Sequence, residues 1–438
     1  MADVLTKLET ILDKTETRRF AGRIRSISGL VVRAEMPLVR IGELCELREP
    51  GRGVIGLAEV VGIENDTAIL SLHGETLGLS LRTEVIPSGK PPGLMVGDFL
   101  IGAIIDAHGN VIRKPFAPAD AQEARFQPLH CQPVDPLSRR PIQNPFETGV
   151  TALDAMLTCG EGQRIGIFGP PGAGKSTLIS RILETGSFDV AVCALIGERG
   201  REVAEFVEHN MPANRPSRMV LVSSTSDRPS LERYKAVLTA TAIAEYFRDQ
   251  GRRVLLVIDS MTRVARALRE IGLAAGEPPV RRGFPPSVFA ALPQIFERTG
   301  NGAKGSITAF YSVLSEGNDN DDPIAEETRS LLDGHIILSD RIARSGRYPA
   351  IDVLQSKSRT MNAVVSDNHI SAANRIRSLL STYADVELLI RVGEYKPGND
   401  PEVDEAVAKR DAINALLYDG RGGTRSYEET IQALMELA

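Results

Sequence analysis

The sequence predicts an α/β fold: a largely parallel sheet covered by helices, preceded by a small all-β region and followed by a helical one. Three observations predict it. From about residue 150, short continuous apolar runs alternate with amphipathic segments of helix length, as strands buried on both faces require. Between residues 20 and about 85, β-branched residues are interrupted at short intervals by Gly and Asn-Asp turn signals. Beyond about residue 360 the strand pattern fades and helix signals dominate.

The first dozen residues carry Val4, Leu5, Leu8, Ile11 and Leu12 at helical spacing. They read as a short helix, either packed on the body or docking on a partner or membrane surface. Ile24, Leu30, Val31 and Val32 flank the turn signal Ser28-Gly29, and the run Gly56–Ile63 meets a turn at Asn65-Asp66 before Thr67–Leu70. This spacing suits a small barrel or sandwich. Pro87-Ser88-Gly89-Lys90-Pro91-Pro92-Gly93 reads as a linker. Strands are expected at Arg164–Phe168, Val190–Ile196, Val220–Ser223, Val254–Ile258 and Ser306–Tyr311. Asp400-Pro401 marks a helix start, and Ser426-Tyr427-Glu428-Glu429 has capping-box spacing before Ile431, Leu434 and Leu437.

Composition narrows the function classes. The 438 residues suggest two or three domains, and 42% hydrophobic with 25% charged residues is globular usage. No apolar run is long enough to span a bilayer, and no secretory signal opens the chain. The four cysteines form no CxxC pair, which points away from structural zinc and disulfides and toward reduced thiols in the cytoplasm. A net charge of −6 leaves no basic imprint of nucleic-acid binding. The six histidines are scattered without metal-ligand spacing.

The chemistry centres on Gly169-Pro170-Pro171-Gly172-Ala173-Gly174-Lys175-Ser176-Thr177, which satisfies GxxxxGK[ST] between a strand and a helix. Glycines let backbone N–H groups converge on phosphate oxygens, and the helix N-terminus adds free donors. Lys175 offers a charge to the β- and γ-phosphates of a nucleoside triphosphate, and Ser176 a hydroxyl to Mg²⁺. The run Val254–Ile258 ends in Asp259, a carboxylate at the strand's outer end that helps to hold Mg²⁺ through water. Hydrolysis also needs a group that orients or deprotonates water. Gly197-Glu198-Arg199-Gly200-Arg201-Glu202-Val203 supplies candidates, although a charged Gly-containing segment also suits an exposed turn.

With these segments in view, the chain resembles the type III secretion and flagellar export ATPases, relatives of the rotary ATP synthase subunits. The carrying residues include Thr158–Arg164, Gly197–Val203, Thr225–Pro229, Arg282–Phe289, Ser330–Ile336, Tyr348–Val353 and Val386–Tyr395. The resemblance implies a RecA-like P-loop core with an N-terminal β-barrel and a C-terminal helical domain. Its expected boundaries are 1–19 for a docking segment, 20–88 for the barrel, 89–360 for the ATPase core and 361–438 for the helical domain. It also implies a cytoplasmic homohexamer that uses ATP and Mg²⁺ to drive protein export, in the injectisome branch ahead of the flagellar one.

By the same resemblance, Glu198 polarises the attacking water, Arg199 and Arg263 lie near the γ-phosphate, and Glu202 contacts hydrated Mg²⁺. Tyr348 stacks on adenine, and Arg359 acts as an arginine finger toward a neighbouring subunit. Glu277–Phe289 faces a central pore that admits a stalk-like coiled-coil partner. Further implied partners are a peripheral stator or regulator, export chaperones, secreted substrates and a membrane export gate. Two positions depart from the family pattern: Asp340 stands where a basic residue is usual, and Ala103 where Arg is common. Three rival readings are weaker. A regulatory non-hydrolytic subunit would lack Glu198. An RNA-translocating ring would need aromatic platforms, yet residues 20–85 hold one aromatic, Phe20. A rotary synthase catalytic subunit would carry an acidic tip in place of Val386–Tyr395.

Overall fold

The computed structural model describes residues 20–28, 31–36, 38–73, 78–116, 124–315, 322–418, 420 and 425–438. The apolar stripe Val4–Leu12 lies outside the described residues. Two compact units emerge, one centred on the chain up to Pro92 and the other holding most of the remainder.

The first unit settles the choice between barrel and sandwich. Six strands, β1 (Gly22–Ser28), β2 (Val31–Glu35), β3 (Leu44–Glu49), β4 (Gly53–Glu64), β5 (Thr67–His73) and β6 (Glu84–Pro87), close in the order β1-β2-β5-β4-β3-β6. Alternation points Val32, Ala34, Cys45, Leu47, Ala58, Leu70 and Leu72 into one buried cluster. At the β4–β5 turn Asn65 takes φ 52°, a left-handed conformation that asparagine tolerates. The stretch read as a linker is tied down at its start. Ser88 N–H donates to Leu44 O (2.9 Å) and Gly89 N–H to the Glu43 carboxylate (2.8 Å).

The second unit opens with a ribbon of β7 (Gly93–Val96) and β10 (Arg125–Pro128), and β11 (Pro145–Phe146) pairs with β12 (Cys159–Gly160). Its main sheet takes β8 (Ile104–Ile105), β9 (Val111–Arg113), β13 (Arg164–Gly169), β14 (Val190–Ile196) and β15 (Met219–Ser224). It is completed by β16 (Arg253–Asp259), β17 (Gly300–Asn301), β18 (Ser306–Leu314), β19 (Gly334–Ile337) and β20 (Lys357–Ser358). The order is β20-β19-β13-β18-β16-β14-β15-β8-β9, with β17 beside β18. From β19 to β8 every neighbouring pair is parallel.

Strand β14 explains the layering. All seven residues are buried, yet Val190, Val192, Ala194 and Ile196 join one apolar cluster while Ala191, Cys193 and Leu195 join another. The period of two sends alternate side chains to opposite faces. One face packs under α4 (Ser230–Asp249), α5 (Met261–Ala274) and α6 (Pro286–Phe296), which contribute Phe247, Val264 and Phe296. The other packs under α1 (Thr151–Met156) and α2 (Lys175–Thr185), with Leu153 and Ile179. The remaining helices of the core are α3 (Gly200–Asn210), α7 (Pro323–Leu331), α8 (Asp340–Arg344) and α9 (Met361–Val364).

The C-terminal helices α10 (Asp367–Arg391), α11 (Pro401–Leu417) and α12 (Tyr427–Leu437) place Leu379, Leu417 and Leu434 in that same second cluster. Asp400 caps α11 from the residue before Pro401, and Ser426 and Glu429 form the reciprocal capping box of α12. The two departures from the family pattern have local reasons. Ala103 is fully buried, where an arginine would need a partner for its charge. Asp340 opens α8 and pairs with Arg344 at 2.6 Å.

Candidate active site

Parallel strands bring their carboxyl ends to one edge of the sheet, where ligands of α/β folds gather. Here β13 delivers Gly169, β14 delivers Gly197 and Glu198, and β16 ends on Asp259. Gly172 and Gly174 adopt φ 83° and 93°, conformations that a side chain would strain. Lys175 opens α2, and no side chain caps the amides of its first turn. Ser176 and Thr177 are exposed beside them. This is a cradle of unclaimed N–H groups at a helix N-terminus, suited to phosphate.

The Lys175 side chain is buried and donates to Gly169 O (2.5 Å) and Pro170 O (2.9 Å). Burial lowers its pKa to about 8, partly opposed by Asp259 and Glu198. Asp259 is itself buried and accepts a short hydrogen bond from Ser312 Oγ. Burial raises its pKa against the pull of Ser312 and Lys175. Sequence reasoning missed Ser312, having ended the expected strand at Tyr311. A hydroxyl in an otherwise apolar run, near the strand's carboxyl end, was the available signal.

Glu198 is half-buried and pairs with Arg263 at 2.9 Å. Its pKa is raised to about 8, first by burial, then by its hydrogen bond with Glu202 and the nearby Asp259 charge, with Arg263 opposing. Glu202 sits one helical turn on and is held below the usual carboxylate range by that hydrogen bond and by Arg199, which it meets at 3.4 Å. Of the two carboxyl groups, the more buried Glu198 holds a proton more readily than Glu202. Gly197 makes this packing possible: at φ 68°, a Cβ there would lie 2.8 Å from Arg263 Cδ.

Of the residues singled out in the sequence, the loop Gly169–Thr177, Glu198, Arg199, Glu202, Asp259 and Arg263 converge at this edge. Tyr348 joins them, its ring 3.9 Å from where a Cβ on Gly174 would stand. Arg359 does not. Its N–H donates to Asp333 O, and Asp333 N–H donates to Arg164 O, each at 2.9 Å. Arg359 thus follows the opposite end of the strand that leads into the loop, roughly 16 Å of strand away.

The donor set fits a nucleotide with a divalent cation: a buried ammonium and free amides for phosphate, and hydroxyl plus carboxylates from Ser176, Asp259 and Glu202 for a hard metal.

Three family models match in chain order. They are the ATP synthase alpha/beta family β-barrel domain over residues 24–89, the nucleotide-binding domain of that family over 149–358, and the T3SS EscN ATPase C-terminal domain over 365–436. The "Type 3 secretion system ATPase" of Sinorhizobium fredii is 49% identical over 98% of this chain and 94% of its own length. The "Flagellum-specific ATP synthase" of Treponema pallidum is 43% identical, covering 100% of this chain and 97% of its own. Among solved structures, the assembled ATPase EscN of the enteropathogenic E. coli type III secretion system superposes with a TM-score of 0.88 at 47% identity. That match covers 95% of this chain and 99% of that one. The chain that carries this site belongs to the type III secretion ATPases, ATP-hydrolysing relatives of the ATP synthase alpha and beta subunits.

Proposed function

We propose that this chain is the ring-forming ATPase of an injectisome-type secretion apparatus, hydrolysing ATP to release chaperones, unfold cargo and drive its export. The hydrolytic reading is carried by Glu198, a carboxyl group of raised proton affinity set between Lys175, Asp259 and Arg263. The secretory reading rests on relatives at 49% identity, ahead of flagellar ones at 43%.

In this mechanism the loop amides and Lys175 bind the phosphates, with Lys175 exchanging its two carbonyl partners for phosphate oxygens. Ser176, Asp259 and Glu202 would hold Mg²⁺, which supplies charge that stabilises the phosphoryl oxygens in the transition state. Ionised Glu198, oriented by Arg263, draws a proton from the attacking water as the water oxygen bonds to the γ-phosphorus and the bond to the β–γ bridging oxygen breaks. Arg199 lies beside the same phosphate, and Tyr348 stacks on adenine.

Arg359 would serve the neighbouring subunit's nucleotide, because its own lies past the other end of β13. A ring of six copies supplies that neighbour, as assembly does for EscN. EscN has also been solved with its central stalk EscO. By analogy, the segment Glu277–Phe289, where Val280 is exposed, receives a stalk-like coiled coil. Residues 1–19 would dock a peripheral stator or regulator that holds the ring at the membrane export gate from the cytoplasm. No described helix is long and apolar enough to cross a membrane itself.

Electron microscopy of the purified full chain with ATP and its co-purifying partners tests this reading. Six-membered rings threaded by a coiled-coil protein are expected. Full ATPase activity in strict monomers would overturn it.

A further inference from the structure

The phosphate end of the site is built by the loop and α2, but the base end rests on Tyr348, a residue that is 41% exposed. Its backbone carbonyl is held from the C-terminal helical region. Gly420, which lies between α11 and α12 in the chain, donates its N–H to Tyr348 O (3.0 Å). The carbonyl of the same Gly420 accepts a hydrogen bond from Arg181 Nη1 (2.7 Å). Gly420 has φ 72°, a conformation natural to glycine. Arg181 is half-buried on α2, the helix that Lys175 opens. The contacts therefore close a circuit: phosphate-binding helix, Arg181, Gly420, Tyr348, and back to the loop at Gly174.

We propose that Arg181 is a positioning residue for the base end of the nucleotide site, fixing Gly420 and, through it, Tyr348 beside the phosphate-binding helix. The proposal rests on the reading that Tyr348 stacks on adenine. An exposed aromatic ring whose backbone is already in place loses less freedom when a base settles on it, so anchoring raises affinity for the base without touching the phosphates. A guanidinium suits the task, because it stays charged and presents a planar fork of donors to a backbone carbonyl.

The test separates base from phosphate. Binding of ADP and of inorganic pyrophosphate, each with Mg²⁺, is measured by titration calorimetry on the full chain, alongside KM and kcat for ATP. Arg181→Ala should weaken ADP by roughly tenfold, the scale of a lost charge-assisted hydrogen bond, and leave pyrophosphate within about twofold. KM for ATP should rise while kcat changes far less. Arg181→Lys, which can still donate to Gly420, should recover part of the loss. Equal weakening of both ligands, or no weakening of ADP, overturns the proposal. If Arg181→Ala lowers the melting temperature of the free chain, Arg181→Lys decides: ADP binding as weak as that of Tyr348→Ala would overturn it too. Tyr348→Ala keeps the two readings apart. If that variant still prefers ADP to pyrophosphate as the wild type does, the stacking reading fails. If it loses the preference while Arg181→Ala keeps it, only the positioning role fails.

Discussion

A carboxylate abstracts a proton from water near neutral pH most effectively when its pKa lies close to the working pH. Burial and the hydrogen bond with Glu202 bring Glu198 to about 8, while burial brings Lys175 down to about 8. The signs differ. In the proposed mechanism Glu198 works ionised, so kcat/KM should rise with pH up to about 8, whereas Lys175 works protonated, so kcat/KM should fall above it. A bell centred near that pH is expected for the free enzyme. Glu198→Gln keeps the shape and loses the base: it should bind ATP, turn over roughly 10²-fold or more slowly, and lack the ascending limb. Lys175→Ala should lose nucleotide binding itself. A Glu198→Gln variant with wild-type turnover would move the role to Glu202.

At the level of elements, what places these residues is the end of a strand. Gly197 ends β14 in a left-handed turn that clears Arg263. Gly197→Ala should cost about 1–2 kcal/mol in backbone strain. By displacing Arg263 and Glu198 it should also lower kcat by up to about 10²-fold, which a steady-state assay and a urea titration read separately. A cap far from the site gives the contrast. Ser426→Ala breaks the box with Glu429 and should cost about 1 kcal/mol of stability with kcat unchanged, a result that activity loss would contradict.

These elements were legible in the sequence to differing degrees, for physical reasons. Strands β13, β14 and β16 announce themselves because burial on both faces demands unbroken apolar runs, and the caps at Asp400 and Ser426 because their donors are local. The two-residue strands β8 and β20 are too short to show a period. Helix α10 runs 25 residues with only its first half buried, so its apolar stripe fades along its length. Within the site, the loop and Asp259 are readable from contiguous motifs. The Ser312 bond to Asp259 and the Glu198–Arg263 pair join residues that meet only through sheet order. Arg181 and Gly420 are 239 residues apart, and nothing in either segment alone announces their contact.

At the scale of the whole molecule, the separation of Arg359 from the loop is the feature with the most consequence. Within one chain, β13 holds the phosphate cradle at its carboxyl end and Arg359 follows the level of its amino end. A side chain cannot bridge that span, so a finger role for Arg359 requires a second copy. Arginine fingers are worth about 10³–10⁵ in rate. Arg359→Ala should therefore bind ATP normally and hydrolyse it very slowly, and wild-type specific activity should climb with protein concentration as rings form. Mixing gives the sharpest measurement. On the proposed reading, Lys175→Ala rings lack the phosphate charge and Arg359→Ala rings lack the finger, so each should be inactive alone. In mixed rings, some interfaces pair an intact loop on one subunit with an intact Arg359 on the next, and those interfaces should hydrolyse ATP. Activity should then appear only after subunit exchange and should follow the fraction of such interfaces as the mixing ratio is varied. Rings shown by mass spectrometry to be mixed yet still inactive would mean that Arg359 does not act across the boundary and that each site is complete within its own chain.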